Sequence, residues 1–138
     1  MQALIQELIS TITADAELDV ICGSVPAVYL TTAPESAALP LVIVHVGTGR
    51  VSHDFSGDRM TVVEVALEII AADINTALTA AQRLGALLDG ATLALSTGSL
   101  LGCVRTTPIQ PAMPGFDALQ NAIYTAAIRF ECQIFEAA

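Results

Sequence analysis

Met60-Thr61-Val62-Val63-Glu64-Val65-Ala66-Leu67-Glu68-Ile69-Ile70-Ala71, followed by Asp73 and then Ile74 to Leu88, is the stretch on which the fold of this chain turns. Its first part alternates with period two. Val63, Val65, Leu67 and Ile69 point one way and Glu64 and Glu68 the other, as in a strand with one packed face and one turned to water or a lumen. Its second part changes period: Ile74, Leu78, Ala81, Leu84 and Leu88 make a helical stripe, with Asp73 as N-cap and Gly90 as the stop.

Working outward, Leu4, Ile5, Leu8, Ile9 and Ile12 mark an amphipathic helix that ends near Thr13. Asp15 caps a second short helical piece, Ala16 to Cys22, closed by Gly23. Ala27 to Leu30 reads as a short strand, followed by a loop containing Pro34 and Pro40. Leu41 to Gly49 reads as a strand apolar on both faces, and Arg50 to Arg59 as a polar, turn-rich connection. Beyond the central unit, Ala91 to Gly98 has no firm period, a strand is expected from about Leu101 to Ile109, and Met113 to Asp117 reads as a loop. The closing strand is the clearest: Ala122, Tyr124, Ala126, Ile128, Phe130, Cys132 and Ile134 share one face, and Thr125, Arg129, Glu131 and Gln133 the other. The expected fold is α+β, one domain over 1–138, with a mainly antiparallel four- to five-stranded sheet and two principal helices packed on one face.

At 138 residues, 54% hydrophobic and 14% charged, the chain is too apolar for disorder and of a size for one core. Its uncharged runs, 20–34 and 90–104, are broken by Gly and by Pro or Ser and fall short of the roughly 20 residues of a membrane span. With no basic n-region and Glu7 in place, nothing in residues 1–10 directs secretion, so a soluble protein that does not engage membranes is expected. Net charge is −9, and all five basic residues are arginines. Sequence-specific nucleic-acid binding driven by phosphate contacts is therefore not expected.

Catalytic chemistry is sparse. Cys22, Cys103 and Cys132 form no C-x-x-C pair and read as small buried hydrophobes rather than a disulfide framework or zinc site. His45 sits in an apolar strand and reads as a hydrogen-bonded core or interface histidine. His53, Asp54 and Asp58 lie in a polar turn, where such residues ordinarily shape the turn rather than hold a metal. Gly47-Thr48-Gly49 lacks the third glycine and the helix start of a dinucleotide loop, and Ser96-Thr97-Gly98-Ser99 lacks the spacing of a nucleophile elbow. Glu64 and Glu68, about 13 Å apart along a strand, are too far apart for a glycosidase pair. No catalytic, cofactor or metal set is assigned, and the chain is expected not to be an enzyme.

Apolar strand faces, by contrast, are in surplus. The strand from Leu41 is apolar on both sides, and the closing strand adds Ile123 and Phe135 to its outward face, a surface that calls for a partner, most simply another copy. The contact elements expected from the sequence are the hairpin residues Arg50, His53, Asp54, Phe55, Asp58 and Arg59, together with Met113, Phe116 and Asp117. Arginines there would bridge acidic neighbours bidentately.

In its order and spacing the chain resembles the tail-completion or tail-terminator family of tailed bacteriophages. The resemblance is carried by the opening helix ending at Asp15-Ala16-Glu17-Leu18, by Val28-Tyr29, and by Ala38-Leu39-Pro40-Leu41-Val42-Ile43-Val44 after a proline-containing loop. The hairpin, the alanine-rich helix Asn75 to Leu84 ending in Leu88-Asp89-Gly90, and Ala127-Ile128-Arg129-Phe130-Glu131-Cys132 complete it. It implies a structural virion protein, assembled in the host cytoplasm, whose hexameric ring caps the head-proximal end of the tail tube, stops its growth and joins it to the head. Its implied partners are other copies, the tail tube protein and neck or connector proteins, with Glu64 and Glu68 as candidate lumen-facing acids. The alternatives are a head-side neck adaptor and a small-ligand-binding α+β domain.

Overall fold

The computed structural model of the chain describes residues 2–34, 37–47, 49–53, 57–95, 100–117 and 119–136. Its elements run α1 (Gln2–Thr13), α2 (Ala16–Cys22), β1 (Ala27–Leu30), β2 (Leu41–Val46), β3 (Arg50–His53), β4 (Arg59–Ala71), α3 (Ile74–Leu88), β5 (Thr92–Ala94), β6 (Leu100–Arg105), β7 (Gln110–Phe116) and β8 (Ala122–Glu136). The class is mixed α+β.

The backbone of the sheet is the antiparallel pair β4–β8, in continuous register from Arg59↔Glu136 to Ala71↔Tyr124. Each long strand serves two shorter partners along its outer edge. β2 and β3 lie in line on β4, and β6 and β7 lie in line on β8. β1 joins β2 in parallel and β5 joins β6, giving eight paired strands among the described residues. The sheet is thus wider than the four to five strands expected. The additions are short segments that borrow their pairing from the long strands.

Alternation along β4 sets the layers. Val63, Val65, Leu67 and Ile69 are buried together with Val42 and Val44 of β2, Ala126, Ile128, Phe130 and Cys132 of β8, and Leu101 and Cys103 of β6. All three helices join this core on the same face: Leu4, Leu8 and Ile12 from α1, Leu18 from α2, and Ala77, Ala81, Leu84 and Leu88 from α3. The expected caps are in place. The Leu18 amide donates to Asp15 at 3.1 Å, and the Thr76 amide donates to Asp73 at 3.0 Å. Gly23 and Gly90, at φ 78° and 77°, take the left-handed conformation that ends α2 and follows α3.

Three expectations are corrected. The strand from Leu41 ends at Val46, not Gly49, and pairing resumes at Arg50. Across that break Val46↔Val65 becomes Arg50↔Val62, so β2–β3 spends four residues where β4 spends three. One extra residue is a β-bulge, and the polar segment beyond it is partly strand. Secondly, Met113 to Phe116, read as part of a loop, belong to strand β7, which has a one-residue shift of its own between Gln110 and Met113. Pro111 and Pro114 are compatible with pairing because β7 hydrogen-bonds on one side only. Thirdly, the outward residues Leu41 and Ile43 are only 3% and 7% exposed, flanked in register by Ala27 and Ile70 and by Tyr29 and Glu68. The chain covers this part of the apolar surplus itself.

Candidate functional site

The open sheet face carries His45 from β2, Glu64, Ala66 and Glu68 from β4, and Arg129, Glu131 and Gln133 from β8. These residues are outward because their neighbours, at odd positions of β4 and even positions of β8, fill the core. Glu64 stands directly opposite Glu131, and Arg129 opposite Ala66. A depression of about 310 Å³ opens here, lined by His45, Glu64, Ala66, Glu68, Thr106 and Arg129. His45 is half-exposed, not a core residue. Its Nε2 lies 3.3 Å from Glu68 Oε1, but the atom is buried and not aligned for a hydrogen bond. Glu64 and Glu68 therefore do share one open face, next to a third carboxylate.

The two predicted contact elements are not brought together. β3 and the start of β4 form one hairpin, with Ser52↔Met60 and His53↔Arg59 paired. Asp58 and Arg59 are exposed at its end. The backbones of Arg50 and His53 lie in β3. Their side chains, and Asp54 and Phe55 entirely, lie outside the described residues. The second element is the β7–β8 turn, at the opposite end of the β4–β8 pair. Twelve steps along β4 at about 3.3 Å each put the two ends roughly 40 Å apart.

At the β7–β8 turn the chain displays large apolar side chains on a stiff support. Met113, Phe116 and Leu119 are 68%, 70% and 82% exposed. Asp117 Oδ1 accepts hydrogen bonds from the Leu119 and Asn121 amides, both at 2.9 Å, and Asp117 Oδ2 accepts from Asn121 Nδ2 at 3.4 Å. The carboxylate thereby holds the turn while the apolar groups face solvent. Leu119 was not singled out in the sequence; it lies just beyond the segment read as a loop. Other exposed apolar residues, Val51, Val104 and Phe135, lie on the half of the sheet near the β3–β4 hairpin.

Two side-chain clusters sit elsewhere. Arg83 of α3 donates to both Asp15 oxygens, at 2.9 and 2.7 Å, and Arg83 Nη1 lies 3.3 Å from Glu17. The cap of α2 is thus also its tie to α3. The Arg83 guanidinium beside Asp15 holds that carboxyl below the usual carboxylate range, against the opposing effect of burial. The second cluster is Cys103 and Cys132, whose sulfurs lie 3.6 Å apart in the core. Burial pushes the third thiol, Cys22, up. Among the described residues no three of His, Cys, Asp or Glu gather at metal-binding spacing, and no helix is long and apolar enough to cross a membrane.

No protein-family model matches the chain, and no curated protein matches it. Among solved structures, a chain in the "Virion of native gene transfer agent (GTA) particle" is similar in fold, with TM-score 0.65 and 24% sequence identity. The similarity covers 95% of this chain and 93% of that one, so the likeness spans nearly the full length of both rather than a shared fragment.

Proposed function

We propose that the chain is a non-enzymatic structural component of a virion, and that its copies form a ring capping the head-proximal end of a tail tube. The observation that carries the first part is the near end-to-end likeness in fold to a chain of a virion particle. The finer reading rests on the sequence resemblance and on the placement of the two contact elements. A ring is built from heterologous interfaces, so each subunit must offer two different surfaces pointing to two different neighbours. The β3–β4 hairpin and the β7–β8 turn are unlike in sequence and stand at opposite ends of the longest strand pair, which suits that requirement. The face between them carries Glu64, Glu68 and Glu131. Turned toward a central passage, these carboxylates would repel the phosphates of DNA and let it pass without adhering.

In this role the ring stops tube growth by mating one face with the last tube subunits and offering the neck a different one. The test is native mass spectrometry of the purified chain at tens of micromolar, alone and with tail tubes, read in multiples of the 14.3 kDa subunit. A sixfold species is expected. A chain that stays monomeric alone and leaves tubes uncapped and free to lengthen would overturn the proposal. Normal-length free tails from a lysate lacking the protein would instead assign it to the head side of the neck.

A further inference from the structure

Cys103 of β6 and Cys132 of β8 are directly opposed across an antiparallel ladder. The kind of pair they form follows from the hydrogen bonds around them. The Cys103 amide donates to Ala91 O at 3.0 Å, and Cys103 O accepts from the Gly90 amide at 2.7 Å, so both backbone groups point away from β8. Three positions along, the Thr106 amide donates across to Arg129 O, as the alternation of the ladder requires if 103–132 is a non-hydrogen-bonded pair. Such pairs hold their Cα atoms at about 4.5 Å and bring their side chains closest, within the Cα range that a disulfide spans. The sulfurs already lie in contact at 3.6 Å, and both residues are 1% exposed.

We propose that Cys103 and Cys132 are a redox site, a buried dithiol that closes into an intramolecular cross-strand disulfide with a low-molecular-weight disulfide, such as oxidised glutathione, as oxidant. The Cys103 thiolate attacks one sulfur of the oxidant, forming a mixed disulfide and releasing one thiolate. The Cys132 thiolate then attacks the Cys103 sulfur, the protein disulfide forms, and the second thiolate leaves. Two protein thiols are oxidised, one small disulfide is reduced to two thiols, and the two protons end on those thiols. The order follows from the surroundings. The two sulfurs share one contact, which holds the Cys103 thiol down, whereas Cys132 is pushed up by its contact with Cys103, by burial and by the charge of Glu131 beside it.

Cys103 and Cys132 face the helix-covered core, and β5 and β6 are the outer strands on this side, so access needs a local opening that lifts this edge of the sheet while β4–β8 stays paired. In a reducing cell the pair stays as thiols. After exposure to an oxidising medium the bond fastens β6, and β5 with it, to the central strand. Cys22 is distant in the fold and takes no part.

The test uses the full chain and its Cys22→Ser variant, incubated folded with oxidised glutathione, quenched with acid, unfolded and alkylated. For the natural chain, alkylatable thiols are expected to fall from the three free cysteines to one. For Cys22→Ser they fall to none, with a loss of about 2 Da before alkylation and no retained glutathione. Proteolysis should yield the Cys103 and Cys132 peptides joined, and the oxidised chain should melt at a higher temperature than the reduced one. Both thiols remaining alkylatable, glutathione retained on either, closure only after denaturant is added, or a lowered melting temperature would each overturn the proposal.

Discussion

Gly47 and Gly49 lie where the register on β4 shifts by one residue between β2 and β3, and the two play different parts that substitution can separate. A Cβ placed on Gly49 would sit 3.2 Å from Val63 Cγ2, 3.4 Å from Val62 O and 3.5 Å from Thr61 Cγ2. None of these atoms yields easily. Val63 is fully buried and β-branched, hence stiff at χ1, and Val62 O is backbone. A Cβ on Gly47 would meet Glu64 O and Glu64 Cβ at 3.5 and 3.6 Å, ordinary contact distances. Replacing glycine by alanine where the backbone permits it stabilises by about 0.4–1 kcal/mol through the unfolded chain, and overpacking costs about 1–3 kcal/mol. Gly47→Ala is therefore expected to be neutral or slightly stabilising, and Gly49→Ala to lose about 1–2 kcal/mol, a net of those two terms. Urea titrations at equal m-value measure both. Equal midpoints for the two variants would refute the close approach of Gly49 to residues 61–63 of β4.

The tie between α2 and α3 has a pH signature. Asp15 is held below its unfolded value of about 3.9, so the stability it contributes is present above that pH and is lost as pH falls through the lower folded value. The difference in melting temperature between the natural chain and Arg83→Met is expected to be largest near pH 7 and to shrink below about pH 4; a difference unchanged from pH 7 to pH 3 would contradict the pairing. At the other end of the sheet, Met113→Ser with Phe116→Ser should change stability by no more than about 0.5 kcal/mol, since both side chains are exposed, yet reduce the oligomer in native mass spectra. Asp117→Ala, which removes the acceptor for three hydrogen bonds in that turn, should weaken assembly in the same direction. An unaltered oligomer distribution in all of these variants would remove the turn from the interface.

What the sequence made legible is what local periodicity and capping determine. The helices, both aspartate caps and the inward and outward faces of residues 60–71 and 122–134 follow from side-chain spacing within one element, and the structure reproduces them. The misread segments are those whose structure is decided by a distant strand. Residues 50–53 are polar but for Val51 and follow two glycines, so on their own they read as a turn; they are a strand because β4 extends past β2 and offers them an edge. Met113 to Asp117, with Pro114 and Gly115 and with Pro111 just before, read as a loop for the same reason. As an edge strand they need only one side of their hydrogen bonding, which proline leaves available at alternate positions.

The same distinction governs the candidate site. That Glu64 and Glu68 share an open face could be read from parity, but Glu131 and Arg129 join them only through the β4–β8 register, and His45 only through β2–β4. Arg83 reaches Asp15 across 68 residues and Cys103 reaches Cys132 across 29, separations at which residue spacing carries no signal. The register also changes the meaning of the two contact elements. As neighbouring loops they would form a single patch, suited to a closed pair of subunits. Held at opposite ends of a roughly 40 Å strand pair, they suit the two different neighbours that the proposed ring requires. On that proposal the acidic face occupies the stretch of sheet that separates one contact element from the other.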